Sequence, residues 1–220
     1  MSDIAVLGGT GPQGKGLALR LAEAGRTVTI GSRSAERAQE TADAINDRLR
    51  VPAVEGATNT DACGAADMVL LAVPYDGHAE LVESLRAELA GKVVISCVNP
   101  LGFDAHGPYE LDIPDRSAAE EAARLAPEAR LIGAFHHVSA VNLWKEVSLE
   151  HEDVLVCGDD AEAKNQVMDL VQAVCGHAGV DAGPLRMARQ LEPLTAVLIN
   201  INKRYKVRSG LAVTGLPANH

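Results

Sequence analysis

Short apolar runs alternate with segments whose apolar residues recur at helical spacing, beginning almost at the first residue. The apolar runs predict strands at residues 4–8, 27–30, 53–57, 68–73 and 92–98. Apolar spacings of three and four predict helices between them, at residues 15–25, 34–49, 60–65 and 81–89. Strands that lack strict polar alternation are typical of parallel sheets with helices on both faces. The pattern therefore predicts an α/β fold, a Rossmann-type doubly wound and mostly parallel sheet.

The alternation of strands and helices is interrupted at residues 101–116, where glycines and prolines predict a long loop. A capping box at residues 117–120 starts the next helix. Further strands are predicted near residues 131–135, 154–158 and 180–182, a helix at 161–175, and a last helix after Pro184. These later elements predict a smaller C-terminal α/β extension that ends in a helix.

The first loop carries a glycine motif between a predicted strand and a predicted helix, the context in which G-x-G-x-x-G binds a dinucleotide. Its residues are Gly9, Thr10, Gly11, Pro12, Gln13 and Gly14. We expect Gly9 to permit the tight turn, Gly11 to admit a pyrophosphate, and Gly14 to let the helix pack closely. Pro12 suits the first helical turn, whose free N–H groups would face the phosphates. Two alternatives are a triphosphate-binding loop, which would need Ser or Thr where Gly16 stands, and a glycine-rich turn without a ligand.

The end of the second strand distinguishes between the two nicotinamide dinucleotides. NAD sites place an Asp or Glu about 20 residues past the glycines, but this chain has Ser32 and Arg33 there, followed by Arg37. A carboxylate would repel a 2′-phosphate, whereas arginine donates charge-assisted hydrogen bonds to it. The alternative is that both arginines are solvated residues at a helix start, where their charge opposes the dipole. The residues favour NADP over NAD.

Composition excludes several classes of protein. The 220 residues are 47% hydrophobic but only 3% aromatic, and the net charge of −10 argues against nucleic acid or an anionic membrane as partner. The longest apolar run, residues 68–73, is too short to span a bilayer. Since the chain enters a strand directly, we expect no signal peptide and a cytoplasmic protein. The four scattered cysteines predict buried free thiols, and we expect no metal site.

Ligands of such sheets lie beyond the carboxyl ends of the strands. Residues 72–75 and 97–100 end two predicted strands, and His136 and His137 end a third. Adjacent residues of an extended segment point to opposite sides, so at most one histidine faces the cleft. Either could be an acid–base group or a hydrogen-bonded structural residue. The basic run 203–208 either complements a helix C-terminus or attracts an anionic ligand tail.

Several blocks together resemble the NADPH-dependent coenzyme F-420 reductases, the deazaflavin:NADP oxidoreductases, over nearly the whole chain. They lie at residues 8–21, 31–34, 117–120, 156–160 and 181–185. The resemblance implies that residues 10–13 bind the pyrophosphate, and that Ser32, Arg33 and Arg37 hold the 2′-phosphate. It further implies that Val73, Val98 and Ala140 line the nicotinamide side, and that His136, Val138 and Arg189 lie near the deazaflavin. The chain differs at residues 137–139, where relatives can read Thr-Ile-Pro, and in its more basic C-terminus.

The resemblance implies an enzyme that transfers a hydride between NADP(H) and coenzyme F-420 as co-substrate. No conspicuous acid–base group is then required, since the two substrates carry the reaction and the protein aligns them. We expect an NADP-binding Rossmann domain at residues 1–145 and a smaller domain at 146–220 that helps to form the deazaflavin cleft. Small-molecule cofactors are the expected partners, and a homodimer is possible. The alternatives are an NADP-dependent reductase of a small imine or carbonyl compound, with one histidine as proton donor, and a non-catalytic NADP-binding module.

Overall fold

The computed structural model describes residues 2–216, which form two sheets and their covering helices. The ten strands are β1 Ser2–Leu7, β2 Val28–Ser32, β3 Val54–Thr58, β4 Ala66–Leu71, β5 Val93–Ser96, β6 Leu101–Asp104, β7 Gly107–Glu110, β8 Arg130–Gly133, β9 Leu155–Gly158 and β10 Val180–Gly183. The nine α-helices are α1 Pro12–Glu23, α2 Ala35–Leu49, α3 Asn59–Ala65, α4 His78–Ser84, α5 Arg86–Leu89, α6 Ala118–Leu125, α7 Ala140–Trp144, α8 Ala161–Cys175 and α9 Ala188–Tyr205. A short 3-10 turn, Leu185–Met187, precedes α9.

The main sheet has eight strands in the order β10-β9-β8-β5-β4-β1-β2-β3. All neighbours are parallel except β8 and β9, which are antiparallel. The order 3-2-1-4-5 with a sixth parallel strand is that of dinucleotide-binding sheets. The predicted Rossmann-type sheet is confirmed, and its C-terminal extension joins the same sheet through β9 and β10.

Alternate residues of the buried strands enter two cores, one on each face of the sheet. Val6 packs with residues of α1, α2, α7 and α8, while its neighbour Leu7 packs with residues of α3, α4, α5, α6 and α9. Because a strand covered on both faces has no polar side, its sequence reads as a continuous apolar run. The phosphate-binding end of α1 is thereby held at the carboxyl edge of β1.

The structure corrects the prediction of a loop at residues 101–116. Strands β6 and β7 form an antiparallel hairpin, with Leu101 opposite Glu110 and Asp104 opposite Gly107. Proline has no N–H to donate and is tolerated on edge strands; Pro108 fits in β7 because both strands of this two-stranded sheet are edge strands. The predicted helix at 81–89 is two short helices, α4 and α5, and the prediction also lacked α7, whose five residues are too few for a periodicity.

The boundary predicted between residues 145 and 146 falls in the connection from α7 to β9. Strands β8 and β9, from the two sides of this boundary, pair within one sheet. The division into two domains stays a prediction. Within residues 2–216, no helix is both long and apolar enough to cross a membrane. The four cysteines are free and buried.

Candidate dinucleotide and hydride-transfer site

The loop from β1 to α1, residues 8–14 (the glycine loop below), is shaped by contacts that leave no room for side chains. Gly8 has a φ of +74°, and a Cβ there would lie 2.6 Å from Cγ1 of Val73. A Cβ on Gly14 would lie 2.7 Å from the Cα of Gly9, whose own Cβ would lie 2.8 Å from the backbone of β1. Gly8 takes the left-handed conformation in this turn, a role that the motif did not assign to it, and Gly9 has no room for a side chain, as expected for a tight turn. A Cβ on Gly11 would meet only a carbonyl oxygen at 3.4 Å, so the backbone there is open to a ligand.

The N-terminus of α1 is suited to an anion. Gly11 is its N-cap and Pro12 its first residue, and within this fully described helix no side chain caps the end and no acidic residue occupies the first turn. The free N–H groups and the helix dipole therefore attract negative charge. The side chain of Gln13, in the first turn of α1, donates a hydrogen bond of 3.3 Å to the carbonyl of Phe135.

Gly16, which stands where a triphosphate-binding loop has Ser or Thr, has a structural role instead. A Cβ there would lie 2.7 Å from Cβ of Leu143 in α7, so the glycine lets α7 pack on α1. Arg20 then donates hydrogen bonds to three carbonyls at the end of α7, those of residues 142, 143 and 147, at 3.3, 2.9 and 2.6 Å. Trp144 completes the contact, with the ammonium of Lys15 4.1 Å from its ring centre. Sequence reasoning missed this packing, although Gly16 in a helical pattern was a signal.

The carboxyl end of β2 presents the residues expected to bind the 2′-phosphate. Ser32 is half-buried, while Arg33 and Arg37 are exposed and form no ion pair within the part of the chain that the structure describes. Ser34 is the N-cap of α2, and its hydroxyl accepts a hydrogen bond from the N–H of Arg37. A hydrogen bond from Ser34 lowers the pKa of Glu36 below its ordinary value. Two cations without ion pairs among the described residues therefore follow the carboxyl end of β2, the strand that pairs with β1.

Asn59 is a residue at this end of the sheet that sequence reasoning missed. It begins α3 directly after β3, and its Oδ1 is buried without a hydrogen-bond partner among the described residues. A Cβ on Gly31, one residue before the end of β2, would lie 3.0 Å from that oxygen. A buried oxygen without a partner is costly unless a ligand supplies the donor. No spacing in the sequence indicates this contact.

Three residues predicted on the nicotinamide side follow adjacent strands of the sheet. Val73, Val98 and Ala140 come after β4, β5 and β8, all of which end at the same edge. Val73 lies against Gly8, as shown above, and a Cβ on Gly16 would lie 3.4 Å from the carbonyl of Ala140. The structure thus brings Val73 to the glycine loop and Ala140 to the first turns of α1, and Val98 is buried between them in strand order.

The turn after β8 has a strained backbone and is hydrogen-bonded to two other parts of the fold, the segment after β5 and helix α9. Phe135 is buried and has a φ of +61°, a left-handed conformation rare outside glycine. The next carbonyl, that of His136, accepts hydrogen bonds of 2.8 Å from Nδ2 of Asn99 and Oγ1 of Thr195. These bonds join the end of β5, the end of β8 and the middle of α9. The sequence did not predict that Asn99 and Thr195 bind the same carbonyl, because the two residues are far apart in the chain.

The two histidines are buried and contact different neighbours. Burial, with a smaller effect of His137, lowers the pKa of His136 to about 3, and both of its ring nitrogens lack a partner among the described residues. Nε2 of His137 is 2.8 Å from the carbonyl of Asp153, and burial lowers its pKa as well. Both rings are therefore neutral near pH 7 and neither is suited to donate a proton.

The remaining two residues predicted near the deazaflavin lie in different surroundings. Val138 is buried in the turn after β8. Arg189 makes a bidentate ion pair with Glu120, with nitrogen–oxygen distances of 2.7 and 2.6 Å. Glu120 also accepts a hydrogen bond from Ser117, so Arg189 is attached to the capping box of α6. All of the predicted contacts with a ligand, from the glycine loop to Arg189, stay predictions.

Comparison with known proteins agrees with this arrangement. Residues 3–100 match the family described as NADP oxidoreductase coenzyme F420-dependent. The chain is 38% identical to the F420-dependent NADP reductase of Methanocaldococcus jannaschii over 97% of this chain and 98% of the relative. It is 39% identical to the enzyme of the same name from Methanothermobacter thermautotrophicus, over 97% and 95%.

Solved structures share the fold to different degrees. A protein of Arthrobacter sp. FB24 assigned as an F420-dependent NADP reductase superposes with a TM-score of 0.81 at 28% identity, over 97% of this chain and 100% of that one. A pyrroline-5-carboxylate reductase from Coxiella burnetii has a TM-score of 0.60 at 16% identity, over 93% and 68%, which indicates the fold alone. Because the identity to the archaeal reductases extends over both chains nearly end to end, the protein belongs to the family of F420-dependent NADP reductases.

Proposed function

We propose that this protein transfers a hydride between NADP(H) and coenzyme F-420. The family, the uncapped end of α1 and the free cations after β2 support this function together. The observation that carries the choice of NADP is the set Ser32, Arg33 and Arg37 at the position where NAD enzymes have a carboxylate. The open backbone at Gly11 fits a pyrophosphate.

The two substrates supply the redox chemistry: a hydride carrying two electrons passes between nicotinamide C4 and deazaflavin C5, and a proton is exchanged with solvent. The protein binds the two substrates, orients them and excludes water. The N-terminus of α1 holds the pyrophosphate, and Arg33 and Arg37 hold the 2′-phosphate. Val73, Val98 and Ala140 form an apolar wall, and the turn at residues 135–138 forms the facing side. Such alignment supplies much of the rate in a bimolecular reaction.

The predicted C-terminal unit, residues 146–220, contributes to the deazaflavin side of the cleft in this proposal. The hydrogen bond from Thr195 in α9 to the His136 carbonyl supports that role. His136, Val138 and Arg189 are the proposed contacts, although Arg189 would have to reach the ligand while paired with Glu120. A homodimer and a cytoplasmic location stay predictions.

Neither candidate histidine favours reduction of a small imine by this chain. That reaction needs a proton donor, and burial keeps both candidate histidines neutral. A non-catalytic NADP-binding module would bind NADPH without oxidising it. Mixing the protein anaerobically with NADPH and coenzyme F-420, and following the deazaflavin absorbance against a control without protein, separates these possibilities.

The substitution Arg33→Ala tests the role of the cations. Loss of a charge-assisted hydrogen bond, about 1.5–3 kcal/mol, should raise the KM for NADPH about 10- to 100-fold. NADH, which has no 2′-phosphate, should be used as before. Arg86→Ala, which removes an exposed arginine of α5, is the matched control. An unchanged KM for NADPH in Arg33→Ala would show that the 2′-phosphate lies elsewhere.

A further inference from the structure

Helix α9 passes beside the carboxyl edge of the sheet and continues beyond it. Thr195 is hydrogen-bonded to the turn after β8. One turn and a half later, the amide oxygen of Asn200 lies 2.7 Å from where a Cβ on Gly107 would be. Gly107 belongs to the hairpin that follows β5, so the last turns of α9 lie on the same side of the sheet as the proposed cleft.

Four cations follow at the end of this helix, Lys203, Arg204, Lys206 and Arg208, called the basic turn below. All four are exposed, and none forms an ion pair within residues 2–216. They are four of only 20 positive charges in a chain of net charge −10. Such a concentration creates a local positive field on an acidic protein.

The basic turn is ordered by the residues around it. Lys206 has a φ of +55° and reverses the chain at the C-cap of α9. The carboxamide of Asn202 accepts hydrogen bonds from the N–H and hydroxyl of Ser209, at 2.6 and 2.8 Å. The returning segment is then bound to Asp153, whose N–H donates to the carbonyl of Leu211. The four charges are therefore held on a closed turn.

Stabilisation of the helix dipole explains only part of this arrangement. Cations in the last turn of a helix are favoured, and Lys203 and Arg204 occupy that turn. Arg208 lies beyond the helix, and its only hydrogen bond within the described residues is to the neighbouring carbonyl of Val207. Cations that form no ion pair among the described residues and lie on an ordered turn fit a ligand that carries several negative charges.

We propose that the basic turn binds the anionic tail of coenzyme F-420. This inference rests on the proposed function and adds a substrate-binding surface to it. Besides its deazaflavin ring, the coenzyme carries a phosphodiester and a chain of glutamates, whose oxygens are acceptors for arginine and lysine. Along α9, Lys203 is about 12 Å from Thr195, a distance that the coenzyme's flexible side chain can span from a ring bound beside the turn at 135–138.

The test compares two deazaflavins in a binding experiment without NADPH. The probes are oxidised coenzyme F-420 and 8-hydroxy-5-deazariboflavin, which has the same ring but neither phosphate nor glutamates. Their Kd values are measured by titration of the deazaflavin fluorescence. The test variant combines Lys203→Gln, Arg204→Gln, Lys206→Asn and Arg208→Gln, in which Asn tolerates the left-handed conformation.

The control variant removes the same charge from other exposed sites, as Arg26→Gln, Arg50→Asn, Arg86→Gln and Arg186→Gln. Arg50 is matched to Lys206, since it also ends a helix with a φ of +59°. Each exposed ion pair contributes modestly, so the test variant should raise the Kd for coenzyme F-420 about tenfold at low salt. The difference should shrink at about 0.5 M salt, where the screening length is only a few ångströms. The tail-less probe should bind equally to all three proteins.

Two outcomes would overturn the proposal. An unchanged Kd for coenzyme F-420 in the test variant shows that the basic turn does not contact the tail. Equal weakening of both probes shows that the substitutions act through the ring site or the fold, and the urea midpoint identifies a change of stability. Absence of hydride transfer to either deazaflavin by the wild-type protein would instead reject the proposed function.

Discussion

The contact between α1 and α7 can be tested by adding one methyl group through a glycine-to-alanine substitution. Gly16 and Gly64 both lie in helices, but Gly16 is closely packed and Gly64 is not. In Gly16→Ala the new Cβ would lie 2.7 Å from Cβ of Leu143 and 3.4 Å from the carbonyl of Ala140. In Gly64→Ala the Cβ would have no heavy atom within 4 Å among the described residues. The same substitution should therefore have opposite effects at the two positions.

The magnitudes follow from helix propensity and packing. Replacing glycine by alanine in a helix gains up to about 1 kcal/mol, and less at Gly64, the residue before the last of α3. Carbon atoms in contact prefer about 3.5–4.0 Å, so Gly16→Ala must push α7 away by roughly 1 Å. Overpacking of this kind costs about 1–3 kcal/mol. We expect Gly16→Ala to be less stable than Gly64→Ala by about 1–3 kcal/mol, or roughly 2–12 °C in Tm.

Urea unfolding of the wild type and both variants, followed by circular dichroism, measures this difference. The KM for NADPH and kcat should also worsen in Gly16→Ala, since Ala140 is the first residue of α7 and part of the proposed apolar wall. Gly64→Ala should keep wild-type kinetics. If Gly16→Ala unfolds at the same urea concentration as Gly64→Ala or above it, then α7 does not pack on α1 as described.

Two further predictions concern buried polar groups. Arg20→Met removes the donor to three carbonyls at the end of α7 and should cost about 2–3 kcal/mol of stability, with faster amide hydrogen exchange at residues 142–147; a loss under about 0.5 kcal/mol would contradict it. Burial raises the pKa of Glu192 to about 8, despite hydrogen bonds from the N–H groups of Ala118 and Ala119 that lower it. Since the folded state then holds a proton that the unfolded state releases above about pH 4.5, Glu192 makes stability fall as the pH rises from about 5 to 8. Glu192→Gln should reduce that fall in a pH series of urea midpoints, and parallel curves for the two proteins would refute the assignment.

The local parts of the site could be predicted from the sequence because each depends on neighbouring residues. The motif at residues 9–14 needs only a strand before it and a helix after it. The caps of α2, α6 and α8 depend on a side chain and an N–H three residues apart, and they are formed by Ser34, Ser117 and Asp160, of which the capping box at Ser117 was predicted. The hairpin at 101–110 escaped prediction because its strands are short and carry Gly and Pro.

By itself the sequence determined the alternation of strands and helices as far as β5, the position of the glycine loop and the cations after β2, since periodicity and short-range geometry decide them. Only the tertiary structure decided that Gly8 makes the turn, that Gly16 admits α7, and that Asn99 and Thr195 share one carbonyl. The sequence could not predict the neutral state of His136 either, because burial by distant segments lowers its pKa. Such contacts join residues far apart in the chain, and no local sequence pattern indicates which distant side chain will lie in contact or at what distance.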